Sequence, residues 1–171
     1  MTALTIADIG LDRLDEVRDL WVALHRYHAE IGSRPLVADG AVSWQRRRAR
    51  YQQWLAGGEA FVLLAQRDGR PVGYVVVHLA DGADDTFPLS ARHAEIYSLS
   101  VAPDSRGQGI GGQLLDAVDA RLSALGIRDV AVAAMVENAA ALRLYARRGF
   151  VAREVVLYRL GSDPEPRDHA D

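Results

Sequence analysis

The sequence predicts the α/β (α+β) class: one domain built on a mixed sheet with helices packed against it. Three observations carry this. Strand-like and helix-like segments follow one another in the order β-α-α-β-β-β-α-β-α-β, which mixes hairpins with helical crossovers and so excludes a purely parallel sheet. The pair Asp68-Gly69 sits between two apolar, β-branched runs, a strong signal for a tight hairpin. At 171 residues the chain is long enough to enclose a core without staples, and it has no cysteine to make any.

A short strand comes first, over residues 4–7. Asp12 is placed to cap a helix that carries Leu14, Val17, Trp21, Leu24 and His28 on one stripe. Pro35 and Gly40 break the chain, and residues 43–55 read as a second helix that stops at Gly57-Gly58. Strands over 59–66 and 71–79 flank the hairpin turn. The second contains YVVVHL, nearly all apolar, as a strand buried on both faces should be. Residues 81–90 form an acidic, proline-bearing loop, and 95–101 alternate in strand fashion up to Pro103. Ile110, Leu114, Leu115, Val118, Leu122 and Leu125 then mark a helix closed by Gly126. A buried strand over 130–136 follows, then a helix over 139–148 opened by Asn138 and ended by Gly149, then a last strand over 151–160. The domain is read as residues 1–160, and 161–171 as a disordered tail.

Composition narrows the function classes. A formal charge of −3 gives no electrostatic reason to expect nucleic acid or an anionic membrane as partner. The N-terminus lacks a basic segment followed by a long apolar run, and no stretch approaches the length of a membrane span, so the expectation is a cytoplasmic protein. All 20 basic residues are arginine, which removes lysine Schiff-base and lysine general-base chemistry. The triplet Arg46, Arg47 and Arg48 reads as a solvated helix face. His25 and His28 lie at i, i+3, but two imidazoles without a third ligand make a poor zinc site, and no metal is expected.

The stretch DSRGQGIGGQLL (residues 104–115) carries the chemistry. A strand, a glycine loop and a helix in succession bind phosphate, because main-chain N–H groups converge at a helix start where the dipole favours negative charge. Gly107, Gly109 and Gly112 fit G-x-G-x-x-G, so an NAD-dependent oxidoreductase is one reading. Against it, four residues intervene between strand and glycines, and too little chain follows for the second half of a doubly wound sheet.

The runs LSVAPDSRGQGIGGQLL (residues 99–115) and ENAAALRLYARRGF (residues 137–150) resemble the GNAT superfamily of acyl-CoA-dependent N-acetyltransferases. The first contains R/Q-x-x-G-x-G/A as Arg106, Gly107, Gln108, Gly109, Ile110 and Gly111. The second places Asn138 at a helix start, Tyr145 seven residues on, and Gly149-Phe150 close behind. The resemblance implies a twisted sheet of six to seven strands flanked by about four helices, with central strands that splay apart over bound acetyl-CoA. The diphosphate would rest on the amides of Arg106 through Gly112, with the Arg106 side chain shaping the loop. The pantetheine arm would bond the main chain of Leu99 and Val101, and an amide near Leu99 or Ser100 would polarise the acetyl carbonyl.

Tyr145 is implied as the acid that protonates the leaving thiolate, its phenol near the reference pKa of ~10. Asn138 caps its helix and would contact the pantetheine arm. Glu95 is the candidate base, by alternation on the same face as Tyr97, Leu99 and Val101; pairing with Arg92 is the alternative. His25, Tyr27, His28, Glu30 and Trp44 are candidates to line the acceptor pocket, and Asp81, Asp84 and Asp85 could draw in a cationic amine. The expected reaction is direct acetyl transfer to a primary amine, with a small-molecule acceptor favoured over a protein N-terminus or lysine. A non-catalytic acyl-CoA sensor is the alternative of another class, and a homodimer is left open.

Overall fold

The computed structural model describes residues 3–32, 39–82 and 86–158. Strands β1 (Leu4–Ile9), β2 (Ala60–Arg67), β3 (Arg70–Asp81), β4 (Arg92–Val101) and β5 (Val130–Val132) form one sheet in the order β1-β2-β3-β4-β5. The first three pairings are antiparallel and β4–β5 is parallel. A sheet with one parallel pair is mixed, as expected, and is not the doubly wound sheet of the dinucleotide reading.

Helices α1 (Arg18–Ile31) and α2 (Gly40–Ala56) cover one face, and α3 (Ile110–Ala124) and α4 (Ala139–Arg147) cover the other. Because strand side chains alternate, the VVV run of β3 serves two cores. Val75 and Val77 pack with Ile110, Leu114 and Val118 of α3. Tyr74 and Val76 pack with Trp21 and Leu24 of α1 and with Trp44 and Tyr51 of α2. All three valines are fully buried, each worth ~1.5 kcal/mol or more in apolar burial. Gly73 permits the close approach of α3: a Cβ there would lie 3.2 Å from both Ile110 Cγ2 and Leu114 Cδ1.

Several boundaries move. The hairpin turns at Asp68 (φ 53°) and Gly69 (φ 74°), left-handed at both positions as a two-residue turn requires. The first helical segment opens as a 3-10 turn over Leu11–Val17, and it is preceded by Gly10 with no side-chain cap. Asp12 lies within the first turn, where its charge suits the dipole, rather than at the cap. The second helix begins three residues earlier than expected, because Asp39 caps it by accepting from Val42 N at 2.8 Å. Gly40, a poor helix former, hid that start.

The expected strand over 130–136 pairs only as Val130–Val132 and is half-exposed rather than buried. Residues 151–158 of the expected last strand form no ladder, and Val151, Val155 and Leu157 are exposed. The described sheet therefore has five strands in place of six to seven. The reason lies at β5, which offers an edge of three residues, too short to hold a further strand. Residues 159–171, and with them the expected tail, lie outside the described residues, as do Pro35, Asp84 and Asp85.

Candidate active site

The β4–β5 ladder ends at Ile96↔Val132, whereas β4 continues to Val101. Beyond Ile96, one side of β4 has no strand beside it. Which atoms face that gap is decided by a bulge. Val76 pairs with Ser98 and Val77 with Ile96, so Tyr97 is an extra residue in β4. Ala102 N donates to Val72 O at 2.9 Å, and main-chain groups of successive strand residues point to opposite sides. Ser98, Ser100 and Ala102 therefore face β3, and the N–H and C=O groups of Leu99 and Val101 face the gap.

Side chains shift with the bulge. Leu99 and Val101 pack in the core beneath α3 and α4. Ser100 donates from Oγ to Leu20 O at 3.1 Å on the other face, and the Ser98 and Tyr74 hydroxyls are 2.7 Å apart there. Tyr97 packs on that same α1/α2 face. Ala94 and Ile96 belong to the α3 core, so Glu95 faces α1/α2 together with Tyr97. Simple alternation had put Glu95, Tyr97, Leu99 and Val101 on one face. The bulge divides them, and it turns the Ser100 amide away from the gap. Glu95 is half-buried, and among the described residues it forms no ion pair; Arg92 pairs instead with Asp81 at 3.6 Å.

At the end of β4 the chain turns through Pro103–Ser105 into the glycine loop. Gly107 (φ 75°) and Gly109 (φ 77°) are left-handed, and Ile110 opens α3. The first α3 amides have no intrahelical acceptor, as at any helix start. Open space lies where a Cβ of Gly107, Gly109 or Gly112 would be, so the loop main chain is accessible to an anion. Gly111 has the opposite use, because a Cβ there would meet Leu144 Cδ2 at 3.2 Å and hold α4 away from α3.

Side chains brace the loop. Arg106 Nε donates to Val101 O at 3.3 Å, and its guanidinium lies 4.6 Å from the Tyr27 ring centroid. Gln108 accepts from Arg67 at 2.7 Å and donates to Asp104 O, while Arg70 bonds Asp104 at 2.8 Å. Arg70, with help from Ser105, holds the Asp104 carboxyl below its ordinary range. Arg67 and Arg70 are loop braces that the sequence does not announce. They come from the β2–β3 hairpin, far away in sequence, and nothing local marks them.

Asn138 caps α4, its Oδ1 accepting from Ala141 N at 3.1 Å, and it is buried. Tyr145 lies on the inner face of α4, with 8% of its surface exposed. Gly149 (φ 84°) ends the helix in the left-handed conformation, and Phe150 N bonds back to Tyr145 O. That return sets the Phe150 ring edge-on to Tyr145, with centroids 5.6 Å apart. The Gly149-Phe150 pair thus positions the tyrosine. Burial pushes the Tyr145 phenol up to about 12, above the ordinary value taken from sequence.

On the α1/α2 face, Trp44 is a core residue, 4% exposed. His25 packs beside Gly40 at the start of α2. Burial, then the nearby His25 and Arg47, pushes His28 below its ordinary value, so it is neutral near pH 7. Tyr27 stacks beneath Arg106 and Glu30 is exposed. Among the described residues no group of three or more metal-ligating side chains assembles, and no helix is long and apolar enough to cross a membrane. The arginine triplet is not a plain solvated face. Arg48 forks onto Asp15 at 2.6 and 2.8 Å. Arg47 lies over Trp21 at 4.2 Å and over Tyr97 at 4.6 Å.

A family model described as the acetyltransferase (GNAT) family matches residues 16–150. A mycothiol acetyltransferase of Clavibacter michiganensis subsp. michiganensis is 30% identical over 162 residues, covering 84% of this chain and 53% of that protein. Another from Brachybacterium faecium is 33% identical over 153 residues, with 85% and 42% covered. This chain thus spans about half, or less, of the length of those relatives. Among solved structures, a GCN5-related N-acetyltransferase from Ralstonia eutropha JMP134 superposes with a TM-score of 0.75 at 23% identity, covering 92% of this chain and 99% of that one. At that identity the likeness concerns the fold.

Proposed function

The chain belongs to the GNAT acetyltransferase family, and from that premise we propose that it moves an acetyl group from acetyl-CoA to the amine of a small molecule. The single observation that carries this reading is the gap beside β4. There the main chain of Leu99 and Val101 is left without a strand partner, in line with a helix N-terminus whose glycines leave its amides open.

The residues fit the cosubstrate at both ends. Amides from Gly107 through Gly112 would hold the diphosphate, with Arg106 fixing the loop rather than binding. Leu99 and Val101 would bond the pantetheine amides in the manner of an added strand. Asn138 Oδ1 is committed to its cap, which leaves the Asn138 Nδ2 group to donate to the same arm. Bound acetyl-CoA supplies an activated acyl carbonyl and a thiolate leaving group. The Leu99 amide, which faces the gap, would donate to the carbonyl oxygen as negative charge grows on it.

Tyr145 donates its phenolic proton to sulfur as the carbon–sulfur bond breaks and the carbon–nitrogen bond forms. Because burial keeps that phenol protonated to about pH 12, the donor is present at every working pH. The same shift makes complete proton transfer ahead of bond cleavage unfavourable, so donation accompanies cleavage. The proton of the attacking amine goes to Glu95, directly or through water; Glu95 faces α1/α2, across the sheet from Tyr145. Relatives that carry the name mycothiol acetyltransferase support a small molecule as the acceptor.

A thiol-release assay with acetyl-CoA across an amine panel tests the reading. Release that depends on one amine supports it. Stabilisation by acetyl-CoA with no release from any amine would favour a sensor instead.

A further inference from the structure

Among the described residues, Arg47 is a half-buried charge that the acetyl-transfer reading leaves unexplained. Its guanidinium is clamped between the rings of Trp21 and Tyr97, 4.2 and 4.6 Å from their centroids, with Tyr51 at 5.9 Å. Among the described residues no carboxylate pairs with it and none of its N–H groups makes a hydrogen bond, whereas neighbouring Arg48 is fully engaged with Asp15. A half-buried guanidinium ordinarily finds an anion, because desolvation without one is costly.

The clamp is itself held in place. Arg50 NH1 donates to Tyr97 Oη, bringing a second positive charge beside the first. Trp54 packs edge-on to Tyr97 at 4.7 Å and stacks on His78 at 4.1 Å. A second, independent sign is the buried Trp21 Nε1, an N–H with no acceptor although the residue is only 6% exposed. Tyr51 Oη, also buried, lies beside the Tyr74–Ser98 pair of hydroxyls. The Arg47 guanidinium and the Trp21 N–H beneath it both lack an acceptor, which an anionic oxygen group would supply.

This cluster stands on the same face of β4 as Glu95. Tyr97 follows Glu95 by two residues, ~7 Å along the strand. A carboxylate side chain that suits an amine and a guanidinium that suits an acid thus share one face of the sheet. The stacked guanidinium is confined to one plane, so its N–H groups point sideways in a fork that matches a planar carboxylate.

We propose that the acceptor is an amine that carries its own carboxylate, an amino-acid-class molecule, with Arg47 receiving the acid while the amine is directed to the Glu95 side. This rests on the acetyl-transfer reading and names the substrate class of that site. It also disfavours polycationic amines, which would meet Arg47 and Arg50 at close range.

Calorimetric titration of the CoA-saturated protein with free L-amino acids and with the carboxamide of each tests the proposal, with O-phosphoethanolamine as a phosphate arm. At least one acid should bind ~10-fold or more tightly than its amide, the size expected for a charge-assisted fork. Arg47→Gln should erase that preference, Arg47→Lys restore part of it, and Arg46→Gln on the exposed side of α2 leave it unchanged. Circular dichroism on each variant checks folding, and the acid-to-amide ratio of the unaltered protein needs no variant at all. Equal binding of acid and amide, binding by no acid, a preference for phosphoethanolamine alone, or a preference that survives in folded Arg47→Gln would each overturn it. Thiol release measured on the same samples separates the two readings. Acid preference without release leaves the anion site and removes the transferase. Release without acid preference does the reverse.

Discussion

Tyr145 is held from two directions, by the helix that carries it and by Phe150 folded back on its ring. Tyr145→Phe keeps that packing and removes only the hydroxyl. Turnover should fall ~10- to 1000-fold, with affinity for CoA nearly kept, as expected for loss of a proton donor. Steady-state kinetics beside a CoA titration decide it, and unchanged turnover removes Tyr145 from the mechanism. The raised pKa carries a second consequence. The folded state binds the phenolic proton more tightly than the unfolded chain, so this contribution to stability is complete below pH ~10 and is lost as pH rises through about 12. Tyrosinate absorbance near 295 nm in a pH titration should show Tyr145 ionising well above the ordinary phenol range, as the difference between the protein and Tyr145→Phe. At this scale the sequence was readable where a residue acts through its neighbours in the chain, as Asn138 does at the cap. It was unreadable where partners come from afar, as with Arg67, Arg70 and the aromatic clamp on Arg47.

The elements around the cleft depend on glycines for opposite reasons, and substitution should separate them. Gly109 needs a positive φ and has open space around it, so Gly109→Ala would cost ~1–2 kcal/mol of strain and tilt the loop amides. CoA affinity should drop more than stability does. Gly111→Val should do the reverse, forcing a methyl group against Leu144 and destabilising the fold by ~1–3 kcal/mol. Denaturant midpoints and CoA titrations on both variants give the crossed pattern; parallel losses would refute it. Element type was legible from periodicity and turn chemistry, as YVVVHL and Asp68-Gly69 show. Strand length was not. The patterning of residues 130–136 and 151–158 is strand-like, but a strand needs an edge to pair with, and β5 leaves β4 after three residues.

At the scale of the molecule, the two halves of the core meet different partners. The α3/α4 side carries the loop and Tyr145, and the α1/α2 side carries Glu95 and Arg47, with β4 between them. A ligand that spans the gap should stabilise the whole domain. At a concentration 100-fold above its Kd, acetyl-CoA would add ~2.7 kcal/mol and raise Tm by several degrees, whereas NADH should leave Tm unchanged. A thermal scan with each ligand separately checks this, and stabilisation by NADH alone would return the dinucleotide reading. The bulge at Tyr97 reaches furthest. One additional residue sets the phase of β4, deciding which amides look into the cleft and which side chains fill each core. Bring Tyr97 into the ladder as an ordinary paired residue and the serines would be driven into the oily layer under α3, while Leu99 would present its flank to α1. The cleft is thereby tied to a break in the ladder, and its lineage can exchange residues in β4 far more freely than it can straighten the strand with all of them paired.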